Sequence, residues 1–183
     1  MQIRHKNREI YFREQTECTQ KYVIPYIEQV LCIKSNLRVL EIGCGEGGNL
    51  KPFLDVGCHC VGIDIDVAQL EKAKAFFANH SLNKNLRLIA NDIYKVSPNE
   101  IGNFDLIILR DVIEHLPNQE LFMHQLKCFM HSESVVFFGF PVWCNPFGGH
   151  QQICRNKWLS HTPWLHLLPN RLYKKALQLG GES

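Results

Sequence analysis

Little in this chain speaks for a membrane or an oxidising compartment. Its 183 residues contain no apolar run long enough to cross a bilayer, so no stable membrane insertion is expected. Met1-Gln-Ile-Arg-His-Lys-Asn-Arg8 lacks the apolar stretch of a secretion signal. Eight cysteines are present, but no Cys-x-x-Cys framework, and free thiols in a reducing cytoplasm are expected. Charge of one sign is also lacking. Twenty Lys and Arg stand against eighteen Asp and Glu, and a net +2 makes the whole chain no binder of nucleic acid. The local excess of Arg155, Lys157, Arg171, Lys174 and Lys175 over Glu182 would either favour an acidic substrate or form a solvated face. The spacing of His150, Cys154, His161 and His166 matches no closed zinc motif, and no metal is expected.

What is present is an alternation of apolar strands and helices. Arg8 to Ile33 is helical in pattern, broken or kinked by Pro25 into two helices, with Tyr22, Ile27, Val30 and Leu31 as its apolar stripe. Strands are expected at Leu37–Ile42, Cys58–Ile63, Leu86–Ala90, Asp105–Leu109 and Ser134–Phe140. Helices fall between them, near Asn49–Asp55, Val67–Asn79, Pro98–Ile101 and Gln119–Met130, the last with Leu121, Phe122, Leu126 and Phe129 inward. The alternation predicts a doubly wound, Rossmann-like α/β domain with a parallel sheet of order 3-2-1-4-5. Residues 1–36 are then N-terminal helices, 37–140 the core, and 141–183 an irregular lid with a last helix at Arg171–Leu179.

The most informative stretch is Val39-Leu-Glu-Ile-Gly-Cys-Gly-Glu-Gly-Gly48, followed by Val61-Gly-Ile-Asp-Ile-Asp66. Glycines in a turn after a strand admit a ligand close to the backbone, and a carboxylate at the next strand's end can accept two ribose hydroxyls. Gly43, Gly45 and Gly48 satisfy the dinucleotide spacing, whereas Gly43, Gly45 and Gly47 satisfy G-x-G-x-G equally well. Three features separate the alternatives. Glu41, two residues before the first glycine, would repel a pyrophosphate and favour a cofactor with an ammonium and a sulfonium. Asn91-Asp92-Ile93 closes the third strand, where a carboxylate can accept the adenine amine. Leu109-Arg-Asp-Val-Ile-Glu-His-Leu116 adds a polar cluster at the same sheet edge.

In combination these motifs resemble the class I S-adenosylmethionine-dependent methyltransferases, above all the broad bacterial group acting on small molecules. The resemblance covers Leu37 to Phe140. It implies S-adenosyl-L-methionine as cofactor and S-adenosyl-L-homocysteine as product. It implies that Glu41 and the Gly43, Cys44, Gly45, Gly47 loop hold the methionine end, and that Asp64 takes the ribose hydroxyls. Ile65 would pack on the adenine, Asn91, Asp92 and the Ile93 backbone would read its edge, and the Arg110 carbonyl would meet the methionine ammonium. The expected reaction is in-line transfer of a methyl group to an O, N or C atom of a small-molecule acceptor, driven mainly by positioning.

His150, after Gly148-Gly149 in the lid, is the candidate general base for an acceptor that must lose a proton, with Tyr11 and His115 behind it. Trp143, Phe147, Trp158 and Trp164 would either grip the acceptor or form a satellite core. Family members usually carry two further strands after such a last helix, and these are expected to be missing here. The fifth strand then has an apolar edge that invites a homodimer or another cover. Two rival functions remain: an NAD-dependent oxidoreductase, opposed by Glu41, and a cofactor-binding module that has lost catalysis and serves assembly or regulation.

Overall fold

The structure, a computed structural model, describes residues 8–142, 144–147 and 154–181. It divides into a larger unit that ends at Phe140 and a smaller one from Pro141 onward. The larger unit holds five strands: β1 (Arg38–Ile42), β2 (His59–Asp64), β3 (Leu86–Ala90), β4 (Phe104–Arg110) and β5 (Met130–Gly139). All neighbours pair in parallel, in the order 3-2-1-4-5 that the alternation predicts.

Each central strand buries both faces, and alternate residues therefore enter different cores. Val39, Cys60, Leu106 and Ile108 face one core. It is completed by Phe53 and Leu54 of α3 (Lys51–Val56) and Leu70 and Phe77 of α4 (Val67–Phe77). Leu40, Ile42, Ile63, Ile107 and Leu109 face the other, closed by Ile101 of α5 (Pro98–Ile101) and by Phe122 and Leu126 of α6 (Gln119–Lys127). Each fully buried Leu or Phe contributes about 1.5–3 kcal/mol of transfer free energy. The register does the rest of the positioning. Glu41 lies opposite Gly62 and Ile108, Asp64 opposite Ala90, and Arg110 opposite Gly139, so the polar residues gather at the strands' carboxyl ends.

The structure corrects several expectations. The N-terminal segment forms two helices as expected, but the change between them comes before Pro25 and not at it. α1 (Arg8–Cys18) passes into a π-helical turn, Thr19–Val23, and then into α2 (Ile24–Ile27), where Pro25 sits in the first turn. A wider turn tolerates the N–H that proline lacks. Val23 and Ile27 are buried, while Tyr22 and Val30 of the expected stripe point outward. α6 ends three residues early because Met130 already pairs with Phe104 in β5. A register shift follows, closed by Ser134: its hydroxyl donates to the Phe104 carbonyl at 2.6 Å and accepts from His131 N at 2.8 Å. Leu121 is exposed rather than inward, whereas Phe122, Leu126 and Phe129 are buried as expected.

Among the described residues the smaller unit has two α-helices, α7 (Lys157–His161) and α8 (Asn170–Leu179), the second beginning one residue before the expected start. Asn156 caps α7 by accepting from Trp158 N and Leu159 N, and its amide donates to Gly180 O at 3.2 Å. Leu159 and Leu165 are its buried apolar residues; Trp158 stands out in solvent, and Trp164 donates its indole N–H to Cys144 O at 3.2 Å. Trp143 lies outside the described residues. Among the described residues no helix is long and apolar enough to cross a membrane.

Candidate functional site

The glycine turn after β1 is built by backbone conformation. Gly43, Gly45 and Gly47 all have positive φ, +72°, +53° and +78°, which a residue with a Cβ adopts at a cost. At Gly43 the space is also closed: a Cβ would clash with the Val112 side chain. The turn is fastened to β2. Gly43 N and Cys44 N donate to the Ile63 carbonyl, and Gly45 N donates to Asp64 Oδ2 at 2.7 Å. The other Asp64 oxygen accepts from Asp66 N at 2.8 Å. Asp64 thus orders the loop as well as presenting a carboxylate at the strand end.

Three cavities lie along the carboxyl ends of the strands. One of about 320 Å³ is lined by Ile65, Asn91, Asp92, Ile93 and Tyr94 on one side and by His115 and Leu116 on the other. Ile65 is 75% exposed, an aliphatic side chain held in the open beside this cavity. Asp92 caps the turn that follows β3, accepting from Tyr94 N at 3.1 Å, and Asn91 Oδ1 accepts from Asp92 N at 2.9 Å. A second cavity, about 300 Å³, shares Gly43, Asp64, Val112 and His115 with the first. Gln15, Glu46, Asn49 and Arg110 complete much of its wall. A third, about 530 Å³, shares Tyr11, Gln15, Arg110 and Asp111 with the second and is otherwise walled by α1 and the π-helical turn.

Glu41 is only 1% exposed and lines none of the three. It reaches the second cavity through Asn49, whose amide donates to Glu41 Oε1 at 2.7 Å. Asn49 Oδ1 accepts in turn from Arg110 Nη1 at 3.0 Å and from the Thr19 hydroxyl at 2.9 Å. Burial pushes the Glu41 carboxyl up to about 8, against the pull of the Asn49 bond and the Arg110 charge; the charge of Asp64 adds to the rise. Glu41 is therefore mostly protonated at neutral pH until a cation comes near. Burial also raises the Cys44 thiol, with Glu41 and Asp64 contributing, so Cys44 is an inert part of the turn.

The orphaned polar atoms are informative. Glu41 Oε2, Glu46 Oε2 and Gln15 Oε1 are buried with no hydrogen-bond partner. Glu46 and Gln15 line the second cavity, and Glu46 Oε1 already takes Arg8 Nε at 2.6 Å and lies 3.7 Å from Lys72 Nζ. A cavity rich in unsatisfied acceptors calls for a ligand rich in donors. An ammonium has three.

Of the expected cofactor-binding residues, Gly43, Cys44, Gly45, Asp64, Ile65, Asn91, Asp92, Ile93 and Arg110 line these cavities; Glu41 meets the second only through Asn49, and Gly47, whose open side faces Phe77, lines none of them. His150 lies outside the described residues. Tyr11 and His115 do line the cavities. Sequence reasoning missed Gln15, Glu46, Asn49 and Val112. Only Glu46 carried a signal, an acid inside a glycine turn.

Comparison with known proteins supplies the family and the fold likeness. The family model described as "Methyltransferase domain" matches residues 12–178, and the chain belongs to that family. A ubiquinone biosynthesis O-methyltransferase of Bartonella tribocorum is 26% identical over 125 residues, covering 62% of this chain and 49% of that protein. The chain thus spans about half the length of the curated relatives it matches. Among solved structures, coclaurine N-methyltransferase bound to N-methylheliamine and SAH has a TM-score of 0.58 at 20% identity, covering 67% of this chain and 35% of that one. PKMT2 from Rickettsia typhi, in complex with AdoHcy, has a TM-score of 0.57 at 23% identity, covering 66% and 25%. These two establish the likeness of fold.

Proposed function

We propose that the chain binds S-adenosylmethionine and transfers its methyl group to an oxygen, nitrogen or carbon atom of a small molecule, leaving S-adenosylhomocysteine. The observation that carries this reading is the meeting of two unlike cavities over Gly43 and Asp64. The first offers Ile65, Ile93 and Leu116 to a flat ring, with Asn91 and Asp92 at its edge. The second offers orphaned acceptors to a cation. The names of the relatives, one an O-methyltransferase and one an N-methyltransferase, span two acceptor atoms and select neither.

When bound, the cofactor supplies a methyl carbon on a positively charged sulfur, an excellent leaving group. The chain's own work is then alignment. Asp64 accepts the ribose hydroxyls while holding the glycine turn through Gly45 N. Glu41 supports the methionine end from beneath, through Asn49, and the Arg110 carbonyl and the turn from Gly43 to Gly47 hold it from above. The third cavity, between α1 and Asp111, takes the acceptor. For an acceptor that must lose a proton, His150 is proposed as the base from its place in the sequence. β5 has no strand on its outer edge among the described residues, and association of two copies there is part of the proposal.

Calorimetric titration with S-adenosylhomocysteine and with NAD tests the cofactor assignment. Binding of the first, and far weaker binding of the second, is expected; tighter NAD binding overturns it. Transfer of labelled methyl to a panel of hydroxyl and amine acceptors then tests catalysis. Tight cofactor binding with no transfer to any acceptor would return the binding-module reading.

A further inference from the structure

Arg110 ends β4, and its guanidinium turns toward the N-terminal helical segment, with no acid hydrogen-bonded to it among the described residues. Nη1 donates to Asn49 Oδ1 at 3.0 Å and to Thr19 Oγ1 at 3.4 Å, and Nη2 donates to Cys18 Sγ at 3.1 Å. All three partners are neutral. A guanidinium has five N–H groups, so Nε–H and one Nη2 proton have no partner among the described residues. The group is half-buried, and it meets Glu41 only through Asn49. A charge withdrawn from water without an ion pair is costly, and an arriving anion offsets that cost. Nη1 and Nη2 are held by three bonds, which fixes the plane of the fork before any ligand arrives.

The setting identifies the anion. Among the described residues, Arg110 is the only Lys or Arg lining the second cavity, where Glu46 and Gln15 present orphaned acceptors. A cavity with a cation on one wall and unsatisfied acceptors on another is matched to an amino-acid zwitterion. We infer that the Arg110 side chain binds the α-carboxylate of the cofactor's methionine moiety, while Glu46 and Gln15, with Glu41 behind Asn49, face its ammonium. The inference rests on the cofactor assignment above and extends it to a side chain whose backbone alone had a role there. Arg110 also lines the third cavity, so the same guanidinium would fix the methionine end at the boundary with the acceptor.

The test compares S-adenosylhomocysteine with its decarboxylated form, S-adenosyl-3-thiopropylamine, which keeps the ammonium and lacks the carboxylate. Both are titrated calorimetrically into the full chain. Wild type should prefer S-adenosylhomocysteine by about tenfold to a hundredfold, the range for a charge-assisted pair. Arg110→Gln should bring the two ligands within about threefold, by weakening S-adenosylhomocysteine alone. Arg110→Lys, which keeps the charge but loses the fork, should retain part of the preference; it also serves if the glutamine variant fails to fold, which circular dichroism reads. An unchanged preference in both variants, or equal weakening of both ligands, overturns the inference and leaves the cofactor assignment standing. Wild type that binds neither ligand overturns the assignment and this inference with it.

Discussion

Replacing Glu41 with glutamine should flatten a pH dependence of stability that the wild type carries. The folded chain holds this carboxyl at about 8 against an ordinary 4.5, because burial disfavours its charge. Between those values the folded state keeps a proton that the unfolded state has released. Stability therefore falls as pH rises across that window, and the loss is complete above the folded value. At about 1.4 kcal/mol per unit, the cost accumulated between about pH 5.5 and about pH 8.5 is roughly 3 kcal/mol. After burial, the groups that set it are Asn49, donating to Oε1, Arg110 and Asp64. Glutamine has nearly the same shape, can still accept from the Asn49 amide and does not titrate. Urea unfolding of wild type and Glu41→Gln at the two pH values isolates the contribution, since other titrating groups cancel in the difference. Wild type should lose roughly 3 kcal/mol more than the variant over this range. Equal slopes would mean that Glu41 is already ionised in the folded chain, and that the charge of Arg110 outweighs burial.

Asp64→Ala should weaken S-adenosylhomocysteine binding by roughly 1.5–3 kcal/mol, with the far-ultraviolet spectrum intact; unchanged affinity would put the ribose elsewhere. Asp64→Asn, which keeps an acceptor for Gly45 N, should lose less. Gly43→Ala should destabilise the fold by about 1–2 kcal/mol for its φ of +72° and by a further amount for the clash with Val112; Val112→Ala should recover only the second part in urea unfolding. His150→Ala should lower methyl transfer on the order of a hundredfold with cofactor affinity retained; an unaltered pH–rate profile and turnover would remove it as the base.

The parts of this molecule that could be read in advance are those set by short-range rules. Five apolar runs separated by helical patterns predict both the strands and their order, because a right-handed crossover leaves few topologies. The glycine turn and Asp64 were legible because backbone conformation and a strand-end carboxylate leave a mark at fixed spacing. What could not be read depended on contacts between distant segments. The π-helical turn has no composition of its own, and only its packing tells it from the regular helix on either side. The early start of β5 follows from Phe104 pairing with Met130, a partner that helical periodicity cannot reveal. Gln15 looked like one more polar residue on a helix until the fold set it beside Gly48, close enough for its Oε1 to lie 2.7 Å from the Cβ that alanine would add there.

The charge at the glycine turn was also hidden, and this changes how the motif discriminates among cofactors. Read from the sequence, Glu41 is an anion that repels pyrophosphate. In the folded chain it is a buried, largely protonated carboxyl whose ionisation waits on its neighbours. Asn49 is the neighbour that matters most, because one side chain meets Glu41 from β1, Arg110 from β4 and Thr19 from the π-helical turn. A donor-rich cation in the second cavity would lower the cost of ionising Glu41, whereas a pyrophosphate would raise it further. Selectivity at this turn therefore comes from the ease of releasing one proton, and a cationic cofactor obtains it. The consequence is measurable: S-adenosylmethionine should bind at neutral pH with net release of up to one proton, seen as a dependence of calorimetric heat on the ionisation enthalpy of the buffer. Glu41→Gln should abolish that dependence. Wild-type binding with no proton release would mean that the cation sits too far from Glu41 to charge it, leaving Glu46 as the group that meets the ammonium.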